Sequence, residues 1–318
     1  MLYIKRIFAA KLPRLGFLIA MGWALSSQFC LSQSGESAVK PVYLFPAPID
    51  SASLKALADI RAAKAVEISP EGSIFLLDGG ANRIYKLDSK LRVIKATAGW
   101  GTKLDCLDNP MDIAIDNGLN VFTADYQNRR IVRLDKDLNF LMEVKLNRLH
   151  PEYEFPLSLA LTGWGDICIL EERTGAILQL QSGMNSLLEF GGFRPGKAAS
   201  PGAARLASDE QSRIYASIPR DSVIIVYDRY GNYLDKLKTA IPAEAISCES
   251  GFVWYGGKRG LACMKGKTEQ PLQYLPPESR VDSIIDVAVS NGRLAVATKA
   301  NPVIRLYQLS YSPAHIQW

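Results

Sequence analysis

Residues 110–135, PMDIAIDNGLNVFTADYQNRRIVRLD, decide the fold. They read as three short strands, IAI, NVFTAD and RIVRL, separated by turn formers at Asp116, Asn117 and Gly118 and again at Gln127 and Asn128. Runs of β-branched residues broken by such turns mark an antiparallel meander, and Asn-Gly between apolar runs is the strongest short hairpin signal. The same first turn recurs at Pro70-Glu71-Gly72, Gly163-Trp164-Gly165, Asp209-Glu210-Gln211, Glu249-Ser250-Gly251 and Ser290-Asn291-Gly292. From the last residue of each to the next, the steps are 46, 47, 46, 40 and 41. A period of this length with several short strands per unit suits a propeller blade; the 3.6-residue periodicity of helical solenoids is absent. The expected fold is all-β, a six-bladed β-propeller of four-stranded antiparallel blades.

Other residues fall in phase with that pattern. Prolines precede four first strands, at Pro110, Pro156, Pro201 and Pro242. Proline cannot donate to a ladder and belongs at a strand start or on an edge, such as the innermost strand along a central channel. Ala114, Ala160 and Ala288 recur on that strand, where blades taper toward the axis and leave little volume. Fourth strands follow in LRVIK from Leu91, LNFLMEV from Leu138, LLEF from Leu187 and YLDKL from Tyr233, whereas the sixth module ends in SYSPAHIQW without one. An unpaired edge is a liability, so VYLF, residues 42–45, is expected to pair with module six and close the ring. Residues 49–63 read as a helical or extended link into the first blade.

The first residues stand outside this repeat. Lys5, Arg6, Lys11 and Arg14 precede an apolar stretch from Leu15 to Leu25 and then SSQ, the pattern of a secretory signal peptide. Residues 1–26 are read as that leader, with a cut as late as residue 32, followed by a linker over 27–41 and a propeller domain over 42–318. Cys30 follows the bulky Phe29, which disfavours lipidation. The leader carries four of the 37 basic residues and none of the 32 acidic ones, so the mature chain is nearly neutral. Bulk charge then argues against nucleic acid as a partner, and no membrane span remains after cleavage. The expectation is an exported, periplasmic or extracellular monomer. Four mature cysteines in so long a chain do not make a disulfide scaffold. Cys248 and Cys263 fall on the first and third strands of one blade, about 9.5 Å apart and beyond the roughly 7 Å reach of a disulfide.

Residues 189–234, EFGGFRPGKAASPGAARLASDEQSRIYASIPRDSVIIVYDRYGNYL, resemble an NHL repeat: a glycine-bearing lead-in, a proline, an inner strand, a short turn, a second strand, then a D-x-x-G turn. Asp78 with Asn82, Arg83 and Ile84, and Asp125 with Asn128, Arg130 and Ile131, match that pattern more closely still. The similarity spans about residues 65–309 and is weakest in module five, where FVWYGGKRGLACM is short and lacks the acidic residue. It implies a six-bladed propeller that works by recognition.

Chemistry has few carriers. The two histidines, His150 and His315, fall in a loop and in the tail, which excludes a histidine cluster in the channel and the zinc site of amidating-lyase propellers. Carboxylates and asparagines at the module turns (Asp78, Asn82, Asp125, Asn128, Glu171, Asp221) repeat blade by blade and are expected to accept backbone N–H bonds locally. The same rim would display Trp100, Tyr126, Arg129, Arg173, Arg220, Tyr255, Lys258 and Arg259, residue types enriched at binding hot spots. Asp112, Glu244 and Asp286, each second after the proline position, would converge at one channel mouth with Asn109 and Ser158 nearby, an all-oxygen set suited to calcium. Two functions follow: a non-catalytic recognition module for protein, peptide or glycan, without cofactor, or a calcium-dependent propeller hydrolase or lactonase using those carboxylates.

Overall fold

A computed structural model of the chain describes residues 41–116, 120–182, 186–192, 202–275 and 277–311. The leader, Cys30, the Asn117-Gly118 turn, Pro201 and His315 lie outside the described residues.

Five sheets have four antiparallel strands in sequence order. Blade 1 is Ala63–Ile68, Ile74–Asp78, Arg83–Leu87 and Val93–Ala96; blade 2 is Pro110–Asp116, Asn120–Asp125, Arg130–Asp135 and Phe140–Lys145. Blade 3 is Pro156–Leu161, Ile167–Glu171, Ala176–Leu180 and Leu187–Gly191; blade 4 is Arg205–Ser208, Ile214–Ile218, Val223–Tyr227 and Tyr233–Lys238. Blade 5 is Ala245–Glu249, Phe252–Gly257, Gly260–Lys265 and a two-residue outer strand, Thr268–Glu269. Blade 6 begins with Ile284–Ser290, Arg293–Thr298 and Ile304–Ser310. The architecture is the six-bladed propeller expected from the repeat.

Apolar side chains fill the six seams between neighbouring blades. Blades 1 and 2 share Phe75, Leu77, Ile113, Val121 and Val132, and blades 5 and 6 share Trp254, Cys263, Val287, Leu294 and Tyr307. Every blade is covered on both faces, which is why second strands such as ICILE and IYASI are buried throughout rather than alternately.

The sixth blade completes itself with two borrowed strands. Val42–Pro46 pairs antiparallel with Ile304–Ser310, Leu44 opposite Leu309 and Phe45 opposite Gln308. It is not outermost: Leu272–Tyr274, the segment after blade 5, lies parallel to it with Val42 opposite Leu272, giving five strands. Sequence reading missed this strand because three residues beside Pro271 carry no pattern of their own. The link that follows contains a helix, Ser51–Leu57, capped by Asp50 accepting from the Ser53 N–H at 2.7 Å. Leu57 and Ile60 pack into the seam of blades 6 and 1, where Ala288, Ala295 and Ala297 leave room.

Asp78, Asp125 and Glu171 accept backbone N–H bonds locally, as the repeat implied. Asp78 accepts from the N–H groups of Gly80 at 2.9 Å in its own turn and of Arg61 and Ala62 at 3.0 and 2.9 Å in the lead-in to the inner strand. Glu171 likewise accepts from Thr174 N at 2.8 Å and Phe155 N at 3.1 Å. Cys106, Cys168, Cys248 and Cys263 are free thiols, and Cys248 and Cys263 do stand on the first and third strands of blade 5.

Candidate functional site

Antiparallel order puts the start of every inner strand and the turn between second and third strands on one rim, called here the turn rim. The first hairpins form the opposite, hairpin rim.

At the channel mouth on the turn rim, ladder register fixes which residues are equivalent. Ala65, Asp112, Ser158, Arg205, Ala245 and Asp286 hold the same position in the six blades, facing Leu77, Ala124, Leu170, Ser217, Gly256 and Ala297 of the second strands. Three of them lock one blade to the next. Asp112 accepts from Ser158 Oγ at 2.5 Å and Leu159 N at 2.9 Å, Ser158 Oγ accepts from Leu206 N at 3.0 Å, and Asp286 accepts from Val66 N at 2.9 Å.

This corrects the expected calcium site in two respects. Glu244 is one residue out of phase: Ala245, third after Pro242, takes the position that Asp112 and Ser158 hold second after Pro110 and Pro156. Asp112 and Asp286 do approach one another, but a cation is already built in. Arg205 reaches Asp112 at 3.2 Å and donates to the backbone carbonyls of Met111 at 3.2 Å and Lys64 at 2.8 Å, bridging blade 4 to blades 1 and 2. Among the described residues no group of three or more His, Cys, Asp or Glu side chains is placed to hold a metal ion.

Burial, and next to it the Asp112 carboxylate, push the carboxyl of Asp286 up to about 7, with Arg205 and the Val66 N–H pulling the other way. Between its ordinary value of 3.8 and about 7 the folded chain holds a proton that the unfolded chain releases. Stability contributed by this group therefore falls as pH rises through that window. Asp286→Asn is expected to be stabilised relative to the parent by a few kcal/mol at about pH 8 and by little at about pH 4.5, at about 1.4 kcal/mol per pH unit. Denaturant unfolding at both values checks it; equal differences at the two would remove the assignment.

On the turn rim itself, the structure gathers some of the expected binding residues and scatters others. Tyr126, Arg129 and Arg173 come together where blades 2 and 3 meet. Tyr126 packs on Phe155 with ring centres 4.9 Å apart, the Arg129 guanidinium lies 5.0 Å over the same ring, and both arginines reach Glu154, at 3.1 and 3.6 Å. The Tyr126 hydroxyl donates to Glu172, which, ahead of burial, pushes its pKa up to about 12.

Trp100 is on the loop entering blade 2, which reaches the blade 2 turn next to Arg129. Gly99–Trp100 pairs in parallel with Cys106–Leu107, and the indole is 72% exposed. Two side chains of the blade 2 turn pin the loop: Asn128 donates to Gly101 O at 3.0 Å, and Arg130 to Lys103 O and Cys106 O at 2.8 and 2.7 Å. Arg130 is buried and also pairs with Asp125 and Glu143, each at 2.7 Å.

Arg220, Lys258 and Arg259 are exposed in the turns of blades 4 and 5, away from that group. Tyr255 was expected on the rim and is instead fully buried in the second strand of blade 5. Its hydroxyl donates to Glu269 and accepts from Ala240 N at 3.1 Å. The alternation of FVWYGG cannot reveal this, since both faces of a blade are covered. Sequence reading also missed Phe155, Leu104 and the hairpin-rim stack in which Arg229 lies 4.5 Å over Trp164 and 5.1 Å over Tyr230.

No family model matches the chain, and no curated protein matches it. Solved structures do. A catalytically inactive histidine-to-alanine variant of virginiamycin B lyase from Staphylococcus aureus with quinupristin is similar at 14% identity over 87% of this chain and 96% of that one, TM-score 0.57. U3-55K is similar at 16% identity over 78% and 79%, TM-score 0.56, and a protein of unknown function from Bacteroides thetaiotaomicron at 10% over 79% and 70%, TM-score 0.58. At these identities the likeness is one of fold.

Proposed function

We propose that the chain is an exported NHL-type propeller that recognises a protein or peptide on its turn rim where blades 1 to 3 meet, and that it performs no chemistry there. The observation that carries this reading is the pinned loop: a buried arginine with two carboxylate and two carbonyl partners holds the loop on which Trp100 and Leu104 are exposed, on the rim that also carries Arg129 and Arg173. An exposed aromatic on a pre-ordered loop lowers the entropic cost of association, and tryptophan and arginine are the side chains that most often dominate binding.

The enzymatic alternative rested on carboxylates able to take calcium, of which Asp112 is already paired with Arg205 and Glu244 stands out of register. The lyase similar in fold is inactive once a histidine becomes alanine; the one histidine among the described residues here, His150, ends a short helix on the surface and packs tilted against Tyr153, ring centres 5.2 Å apart.

The test uses the mature chain as bait on its own cell-envelope fraction, with two variants. Trp100→Ala combined with Arg129→Ala is expected to lower partner retention about tenfold or more, while Trp164→Ala on the hairpin rim leaves it unchanged. Millimolar calcium or EDTA should change neither retention nor Tm. Loss with Trp164→Ala alone, retention by oligosaccharide only, or a calcium-dependent Tm would each replace this reading.

A further inference from the structure

Behind the Arg205 bridge the channel widens into a pit of about 210 Å³, walled by all six inner strands and reaching Pro70 and Ser290 on the hairpin rim. It exists because one level of the inner strands carries small side chains. In register there stand Ala114, Ala160, Ala207, Ser247 and Ala288, and the first blade alone places a carboxylate, Glu67, at that level. Glu67 lines the pit.

The charges around it do not balance. Asp112, Asp286 and Glu67 act on one another, and two cations answer them. One is Arg205, held by Asp112 and by the carbonyls of Met111 and Lys64. The other is Lys64, whose Nζ lies 3.8 Å from the sulfur of Met111. While Asp286 holds its proton the remaining four charges balance; once it ionises, above about pH 7, one negative charge is left over at the pit, to be neutralised by a proton or by a cation. Burial first, then Asp286 and Asp112, raise the Glu67 carboxyl well above the usual range, against the pull of the Ile68 N–H.

We propose that this pit binds a small organic ammonium ion, with its head on the Glu67 carboxylate and its alkyl part along the walls formed by Ile115, Leu161 and Ile246. A bare metal ion fits poorly, because calcium takes six to eight oxygens and no group of three or more ligating side chains occurs among the described residues. The pit has the volume of about seven water molecules at roughly 30 Å³ each, room for an ammonium head and a short alkyl chain. An ammonium that displaces the proton of Glu67 releases it to buffer, so binding should strengthen as pH rises.

Calorimetric titration of the purified chain with n-butylammonium chloride tests this, with 1-butanol and butyrate as neutral and anionic controls of the same length. Saturable butylammonium binding is expected, at least about tenfold tighter than butanol and about tenfold weakened in Glu67→Gln. Its apparent heat should differ between buffers of different ionisation enthalpy, reporting the released proton. Circular dichroism shows whether Glu67→Gln is folded; if it is not, the comparison of the three ligands on the parent chain decides. No saturable heat, butanol binding as well as butylammonium, unchanged affinity in folded Glu67→Gln, or competition by calcium or potassium at equal concentration would each overturn the assignment. None of these readouts involves Trp100 or the turn rim.

Discussion

Leu44→Ala is expected to cost about 3–5 kcal/mol in unfolding free energy, the upper part of the range for a large-to-small change at a fully enclosed site. Leu44 has no exposure, stands opposite Leu309, and packs with Trp254, Val287 and Tyr307 in the seam of blades 5 and 6. Removing residues 41–46 altogether should do more. It takes Val42 and Leu44 out of that seam, leaves Leu272–Tyr274 without its one ladder partner among the described residues, and bares the backbone of Ile304–Ser310 as an edge that invites association. Denaturant unfolding of Leu44→Ala, and light scattering of the truncated chain, measure the two effects. A midpoint unchanged in both would mean that the strand decorates the sixth blade without holding it. Tyr43→Ala, on the half-buried side of the same strand, is the control and should cost much less.

Arg130→Met should be nearly as damaging, about 3–5 kcal/mol, because it strips a buried ion pair of one partner and leaves the other. Asp125 would keep its bonds from Asp108 N at 2.7 Å and Asn128 Nδ2 at 2.8 Å but lose the guanidinium. Burial already raises the Asp125 carboxyl above its ordinary value, and without Arg130 it rises further. The sign follows: a carboxyl whose folded pKa is raised is less costly when protonated, so the deficit should shrink as pH falls. Adding Asp125→Asn to Arg130→Met should recover part of the loss at neutral pH, which a purely steric defect would not show. Hydrogen exchange at residues 103–106 should quicken as the carbonyls of Lys103 and Cys106 lose their donor. If exchange there is unchanged, Arg130 does not hold the Trp100 loop.

What the sequence made legible was whatever repeats. Hairpin turns, inner-strand prolines and the acids at the ends of second strands recur at steps that only a ring of similar sheets explains, and Asp78, Asp125 and Glu171 proved to have one shared job. The channel mouth was misread because it was counted forward from the proline, across a lead-in whose length varies. Counting back from the end of each first hairpin leads six residues from Gly118 to Asp112, from Gln211 to Arg205, from Gly251 to Ala245 and from Gly292 to Asp286, and seven from Gly72 to Ala65 and from Gly165 to Ser158. A hairpin fixes ladder register and a loop does not, so the second count would have exposed Arg205 and dismissed Glu244. Tyr255 was illegible for a different reason: in a blade covered on both faces, the alternation that tells inside from outside is lost.

The pairing of residue 44 with residue 309 also fixes when the molecule can exist. A ribosome adds about 5–20 residues per second, so the early strand waits on the order of ten seconds or more, without its partner, while five sheets are made between the two. Each of those sheets can form from contiguous chain, but the sixth cannot, and long-range pairings of this kind are the slow steps of folding. A nascent chain stopped after the first strand but before residue 304 carries Val42–Pro46 without its antiparallel partner, and any cellular surveillance that recognises bare strand edges would see it as unfinished.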